Sequence, residues 1–122
     1  MNVVLLRGTL HGEPTDVMLA SGEVVRSWEL ATSLMVTGRD AGSGQSVETV
    51  HRVPVRWVEP TKAVRALAAG DEVVVIGSVR RRFFRAGGAT ASRTEVLGAK
   101  AAKTSRNRAV EKLLAEAGEL IT

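Results

Sequence analysis

The chain has 122 residues, 44% hydrophobic and 25% charged, which bounds it to one modest domain of ordinary globular composition. It contains no cysteine, which excludes both a disulfide framework and a thiolate metal site. Its formal charge of +4 is unevenly spread: residues 80–108 hold nine Lys/Arg against one Asp/Glu, whereas residues 1–79 hold seven against nine.

In chain order, "NVVLLRGTLHG" reads as a strand ending in a glycine-containing turn. "GEPT" follows, and "DVMLASGEVV" reads as a short strand, a Ser-Gly turn and the start of the next strand. In "EVVRSWELATSLMV", Val24, Arg26, Trp28, Leu30 and Thr32 share one face, while Val25, Ser27, Glu29 and Ala31 share the other. Trp28 is expected in the core beside Leu30. "TGRDAGSGQS" has the Gly/Ser composition of a mobile loop. "VETVHRVPVRWV" alternates again, with Val53, Val55 and Trp57 opposite Arg52, Pro54 and Arg56. Trp57 is expected to be buried or at a subunit contact, and Pro54, lacking a donor, belongs at an edge or a bulge.

"EPTKAVRALAAGDE" breaks the β pattern. Thr61, or Pro60 before it, opens a short helix with Val64, Leu67 and Ala68 as its apolar face and Gly70 as its C-cap. "DEVVVIGSVRRRFF" is a long strand, "AGGA" a turn, and a last strand runs near residues 91–98. "KAAKTSRNR" reads as a polar linker, and "RNRAVEKLLAEAGEL" has the pattern of a short helix with Val110, Leu113 and Leu114 on one stripe. This order predicts an all-β fold: an OB-fold, the five-stranded Greek-key barrel, with one short helix between strands 3 and 4. The expected domain spans residues 1–99, and residues 100–122 form a basic linker and a tail with helical pattern.

The most unusual stretch is "GSVRRRFFRAGGATASRTEV", with five arginines and two adjacent phenylalanines around a Gly-Gly turn. Concentrated positive charge suits a polyanionic partner; it also suits plain solvation and protection of an edge strand. In an uninterrupted strand over residues 73–85, Arg80, Arg82 and Phe84 share one face, and Arg81, Phe83 and Arg85 the other. Guanidinium groups neutralise phosphates, and a ring beside them stacks an unpaired base; Phe84 is read as such a platform, with packing against the barrel as the alternative, since a bulge would swap the faces. A duplex hides its base faces, so this pattern favours a single-strand reader. Phe83, on the opposite face, is assigned to the core. Few aromatics overall predict a more electrostatic, more salt-sensitive binder.

Other classes find little support. His11 and His51 make no convincing metal set, so no metal or cofactor is expected. "GSGQS" lacks the Gly-Lys-Ser/Thr of a phosphate-binding loop, and "GTLHGE" sets no nucleophile beside a base. The protein is read as a non-enzyme. No apolar run approaches the roughly 18 residues of a membrane span. "MNVVLLRG" lacks the charged leader and cleavage site of a signal peptide, so no membrane partner and a cytoplasmic location are expected, nucleoid-associated if the polyanion is DNA.

Five segments, in order, resemble the bacterial single-stranded-DNA-binding proteins over roughly residues 2–99. They are "NVVLLRGTLHGEPT", "SWELATS", "HRVPV", "LAAGDEVVVIGSVRRRFF" and "SRTEV". The resemblance implies an OB-fold that coats single-stranded DNA without strong sequence preference, as a homo-oligomer, tetramer or dimer, in replication, recombination or repair. It places phosphate contacts at Arg52, Arg80 and Arg82, the stacking ring at Phe84, and strand-covering loops at "GRDAGSGQS" and "AGGA". His51 falls where the family has a subunit contact; on its residue type alone it is a hydrogen-bonded strand residue. The full set of candidate nucleic-acid contacts is Arg52, Arg56, Arg80, Arg82, Phe84, Arg85 and Arg93. Val3, Val50 and Arg56 depart from the family pattern, and "AEAGELIT" carries acid but no aromatic tip. A shortened, divergent paralogue is therefore expected. The alternative is an OB-fold protein-interaction or assembly module with weak or no DNA binding.

Overall fold

A computed structural model describes residues 1–36 and 47–122. Five strands are β1 (Val4–Met18), β2 (Val24–Val36), β3 (Val47–Val58), β4 (Glu72–Ala86) and β5 (Ala89–Lys103). Two helices join them: α1 (Lys62–Arg65) between β3 and β4, and α2 (Asn107–Ile121) after β5. The strands close into a barrel in the order β1-β2-β3-β5-β4, the five-stranded OB-fold expected from the alternation. Closure is required because α1 is too short to cover a sheet face.

β1 is shared between two neighbours. Val4–Thr9 pair with β4, and Thr9–Met18 pair with β2. The "HGEPT" step, expected as a turn ending the first strand, is instead a bulge inside one long strand. Its register jumps between His11 and Thr15, with Gly12 at φ 68°. Extra residues there bend the strand so that it can pair with both neighbours. The indole Nε1 of Trp28 donates to the Gly12 carbonyl at 2.8 Å, tying the bulge to the core.

Leu10, Trp28, Leu30, Val55, Trp57, Val64, Leu67, Val73, Val75, Val96 and Ala101 form the barrel core. Both tryptophans are buried, as the alternation of their strands predicts. Thr61 caps α1 by accepting from the Val64 amide, and Val64 enters the core. Gly70 does not cap this helix, which ends at Ala66; with φ 87° it serves a later turn, where its amide donates to the Leu10 carbonyl. Pro54 pairs only with β2, because the parallel β3–β5 contact is confined to Val55↔Val96 and Arg56↔Leu97. Pro54 thus sits where β3 has a neighbour on one side only, the edge position expected for a residue without a donor.

β5 does not stop near residue 98. Lys100–Lys103, expected in a linker, continue the strand and pair with Val73–Ile76, after a bulge that accommodates Ala99. Ala101 and Ala102 are buried there. Small apolar residues flanked by lysines lack a strand's usual pattern, so tertiary pairing decides their state. α2 packs on the outside of this wall, where Leu113 and Ala117 meet Val74, Ile76 and Ala102. Val110 adds to that stripe, whereas Leu114, expected on it, is half exposed; Ala117 takes its place at the i+7 position. No helix among the described residues is long and apolar enough to cross a membrane.

Candidate nucleic-acid interface

Beyond Gly77, β4 has no further pairing with β1. From there β4 and β5 run on together as a two-stranded ribbon to the Gly87-Gly88 turn. Paired residues in an antiparallel ladder share a face. Arg80↔Glu95, Arg82↔Arg93 and Phe84↔Ala91 therefore occupy one face of the ribbon. Val55 and Val96 lie in the barrel core, so the neighbouring Arg56 and Glu95 point outward from the same wall. On β2 and β3, the pairs Ser27↔Arg56, Glu29↔Pro54 and Ala31↔Arg52 extend that outer face.

At its centre is a residue outside the seven expected contacts. Glu95 is 2% exposed, and three arginines surround it. Arg82 Nε donates to Glu95 Oε1 at 2.9 Å. Arg80 donates to Oε2 through Nε and Nη2 at 3.2 and 3.1 Å. Arg56 Nε stands 3.7 Å from the same oxygen. Burial alone raises the Glu95 carboxyl, but hydrogen bonds from Arg82 and Arg80, with the charges of Arg82 and Arg56, hold it below the usual carboxylate range. Arg56 is pushed the other way: burial lowers its guanidinium, the charge of Arg82 adds to this, and Glu95 only partly offsets it. Its buried Nε has no hydrogen-bond partner among the described residues.

The cluster leaves donors facing outward. The terminal nitrogens of Arg82 make no hydrogen bond among the described residues, and its guanidinium carbon lies 5.0 Å from the Phe84 ring centre. Phe84 is 36% exposed, so its ring is open to solvent although a cation covers part of it. Arg93 donates to Glu29 at 2.8 Å. Arg52 is exposed, with no side-chain partner among the described residues, about 13 Å along β3 from Arg56 at four residues' rise. A cleft of about 190 Å³ is lined by Arg56, Arg82 and Arg93 together with His11 and Glu13. Five arginines (Arg52, Arg56, Arg80, Arg82 and Arg93) against three carboxylates (Glu13, Glu29 and Glu95) leave this wall net positive.

Of the seven expected contacts, Arg52, Arg56, Arg80, Arg82, Phe84 and Arg93 lie on this outer wall. Arg85 does not: strand parity sends it to the ribbon's other face, where Nη1 donates to the Gly88 carbonyl at 3.3 Å. Phe83 corrects an expectation. It is not in the core but 66% exposed, because the ribbon has left the barrel by that point. Glu95 was legible in principle as the one acid among nine cations, in register opposite Arg80. His51 Nε2 lies 2.9 Å from Thr49 Oγ1, as its residue type suggests. The "GRDAGSGQS" loop lies outside the described residues.

No family model and no curated protein matches the chain. Solved structures do. An SSB of Plasmodium falciparum in complex with ssDNA is 22% identical, with a TM-score of 0.65 over 80% of this chain and 85% of its own. A single-stranded DNA binding protein from Thermus aquaticus, in deletion-mutant form, is 23% identical with a TM-score of 0.68, over 84% of this chain. The match spans 50% of the Thermus chain. A small single-stranded DNA-binding protein from Streptomyces coelicolor is 20% identical with a TM-score of 0.59, over 85% of this chain and 95% of its own. At these identities the likeness establishes a shared fold.

Proposed function

We propose that the chain is a non-enzymatic protein that binds single-stranded DNA without strong sequence preference, in replication, recombination or repair. The observation that carries this reading is the outer wall of β2, β3, β5 and β4, where a net-positive arginine array borders a solvent-open phenyl ring. Arg52, Arg80, Arg82 and Arg93 meet phosphates, and Phe84 stacks a base. Arg56, largely covered, adds charge from beneath, and Glu95 holds the cluster's geometry. The fold's likeness to proteins named for single-stranded DNA supports the same reading. Exposed apolar side chains on β1 and β3, among them Leu5, Val17 and Val58, suit a homo-oligomer, dimer or tetramer. A cytoplasmic, nucleoid-associated location follows from the ligand.

The test is titration of an oligothymidylate across a salt series, beside light scattering for assembly state. Tight binding at low salt is expected, weakening with a log–log slope of about −0.7 per phosphate contacted. Absence of binding at tens of micromolar protein removes the proposal. A specific co-purifying partner would then favour the interaction-module alternative.

A further inference from the structure

The β4–β5 ribbon has a second face. Arg81↔Thr94, Phe83↔Ser92 and Arg85↔Thr90 bring two guanidinium groups, three hydroxyls and one phenyl ring together there, with no carboxylate among the six. Phe83 is the more exposed of the two phenylalanines, at 66% against 36%. The Arg81 guanidinium carbon lies 5.8 Å from its ring centre, while Arg81 Nε donates to Ser92 Oγ at 3.1 Å. The arrangement repeats that of Arg82 and Phe84 on the opposite side. Each face carries an arginine and a phenylalanine two residues apart.

Simple protection of an exposed strand needs charge and gains nothing from an uncovered ring. A protein partner is disfavoured by composition, because Phe83 is ringed by arginines and hydroxyls rather than by a continuous apolar patch. A lone aromatic between cations suits a base flanked by phosphates. The missing carboxylate makes this face as ready for a polyanion as the first, whose arginines are partly neutralised by Glu95.

We infer that the Arg81–Phe83–Arg85 face is a second platform for single-stranded nucleic acid, stacking one base on Phe83 and meeting phosphates with Arg81 and Arg85. The inference rests on the proposed function and extends it. A long strand that fills the outer wall passes around the hairpin turn and returns along the other side.

The experiment measures binding of an end-labelled oligothymidylate of roughly 30 nucleotides, and of one of about 8, near the short end of OB-fold site sizes. It uses the full chain and the variants Phe83→Ala, Arg81→Ala and Phe84→Ala. Phe83→Ala and Arg81→Ala should each weaken the long oligomer about fivefold or more, the low end of what one stacked base contributes. They should leave the short oligomer nearly unaffected. Phe84→Ala should weaken both. Phe83 and Arg81 are exposed, so unchanged thermal melting is expected, and either variant alone keeps the test valid. Wild-type affinity for the long oligomer in both variants, with Phe84→Ala impaired, overturns the second face and leaves the first standing. A change in molar mass without loss of affinity also overturns it, marking the face as a contact between copies. No binding by the unaltered chain removes the proposed function and this face with it.

Discussion

Arg82 and Glu95 are joined by a 2.9 Å hydrogen bond between Nε and Oε1, with the carboxylate buried and the guanidinium's outer edge in solvent. The pair ties the proposed interface to the fold, because the outward-facing Arg82 is aimed by an acid that the barrel wall covers. Its partner Arg80 is held by the same carboxylate.

Glu95→Gln should therefore destabilise the domain strongly. It removes the negative charge that three guanidinium groups share, and breaking a buried pair of this kind typically costs about 3–5 kcal/mol. Urea unfolding checks this. A midpoint unchanged from that of the parent would show that the arginines relax freely into solvent.

The same carboxylate predicts acid sensitivity. Its ordinary value is 4.5, and its folded value lies lower. A depressed folded value contributes stability above the unfolded value and loses it as pH falls through the folded one. Stability should thus decline as pH drops below that ordinary value of 4.5 and on through the lower folded one. Glu95→Gln should flatten that part of the profile, read by melting temperature against pH. Arg26 bonding to Asp16 lowers that carboxyl as well, so a residual slope will remain.

Arg80→Ala combined with Arg82→Ala should weaken oligothymidylate binding and flatten the salt slope by about 1.4, or 0.7 for each phosphate no longer neutralised. It should also lower melting, because Glu95 is left without its two hydrogen-bonded arginines. Adding Glu95→Gln to this double variant should recover stability without recovering the slope. Arg52→Ala should reduce the slope by about 0.7 with no loss of stability, and Glu23→Ala should change neither.

Gly98→Ala should destabilise the barrel. A β-carbon there would overlap the indole of Trp57, whose ring is buried in the core. Overpacking of this kind costs about 1–3 kcal/mol, visible as a lowered unfolding midpoint and altered tryptophan emission.

Leu113→Ala tests whether α2 belongs to the domain. Leu113 is buried against the wall of β4 and β5, so truncation should cost about 2–4 kcal/mol in a single cooperative transition. A separate early transition would show that the helix unfolds by itself.

The alternation of Trp28 with Leu30 and of Val55 with Trp57, the breaker at "EPT" and the Gly-Gly turn were enough to indicate the succession of elements and the OB-fold class, though the helix is shorter than its pattern suggests. These are local signals, set by the two-residue period and by turn chemistry. The face shared by Arg80, Arg82 and Phe84 was legible for the same reason, since no bulge falls between them. Other features depend on partners far apart in sequence. Lys100–Lys103 are a strand because Val73–Ile76 pair with them, and the "HGEPT" bulge exists because β1 must reach both β4 and β2. Phe83 is exposed because β1 stops pairing at Gly77, which periodicity within β4 cannot reveal. Glu95 became the centre of the site only when barrel closure brought Arg56 from β3 against the β4–β5 ribbon. Sequence pattern determines which side a residue takes; closure decides which residues from other strands meet it there, because burial and charge pairing act through space rather than along the chain.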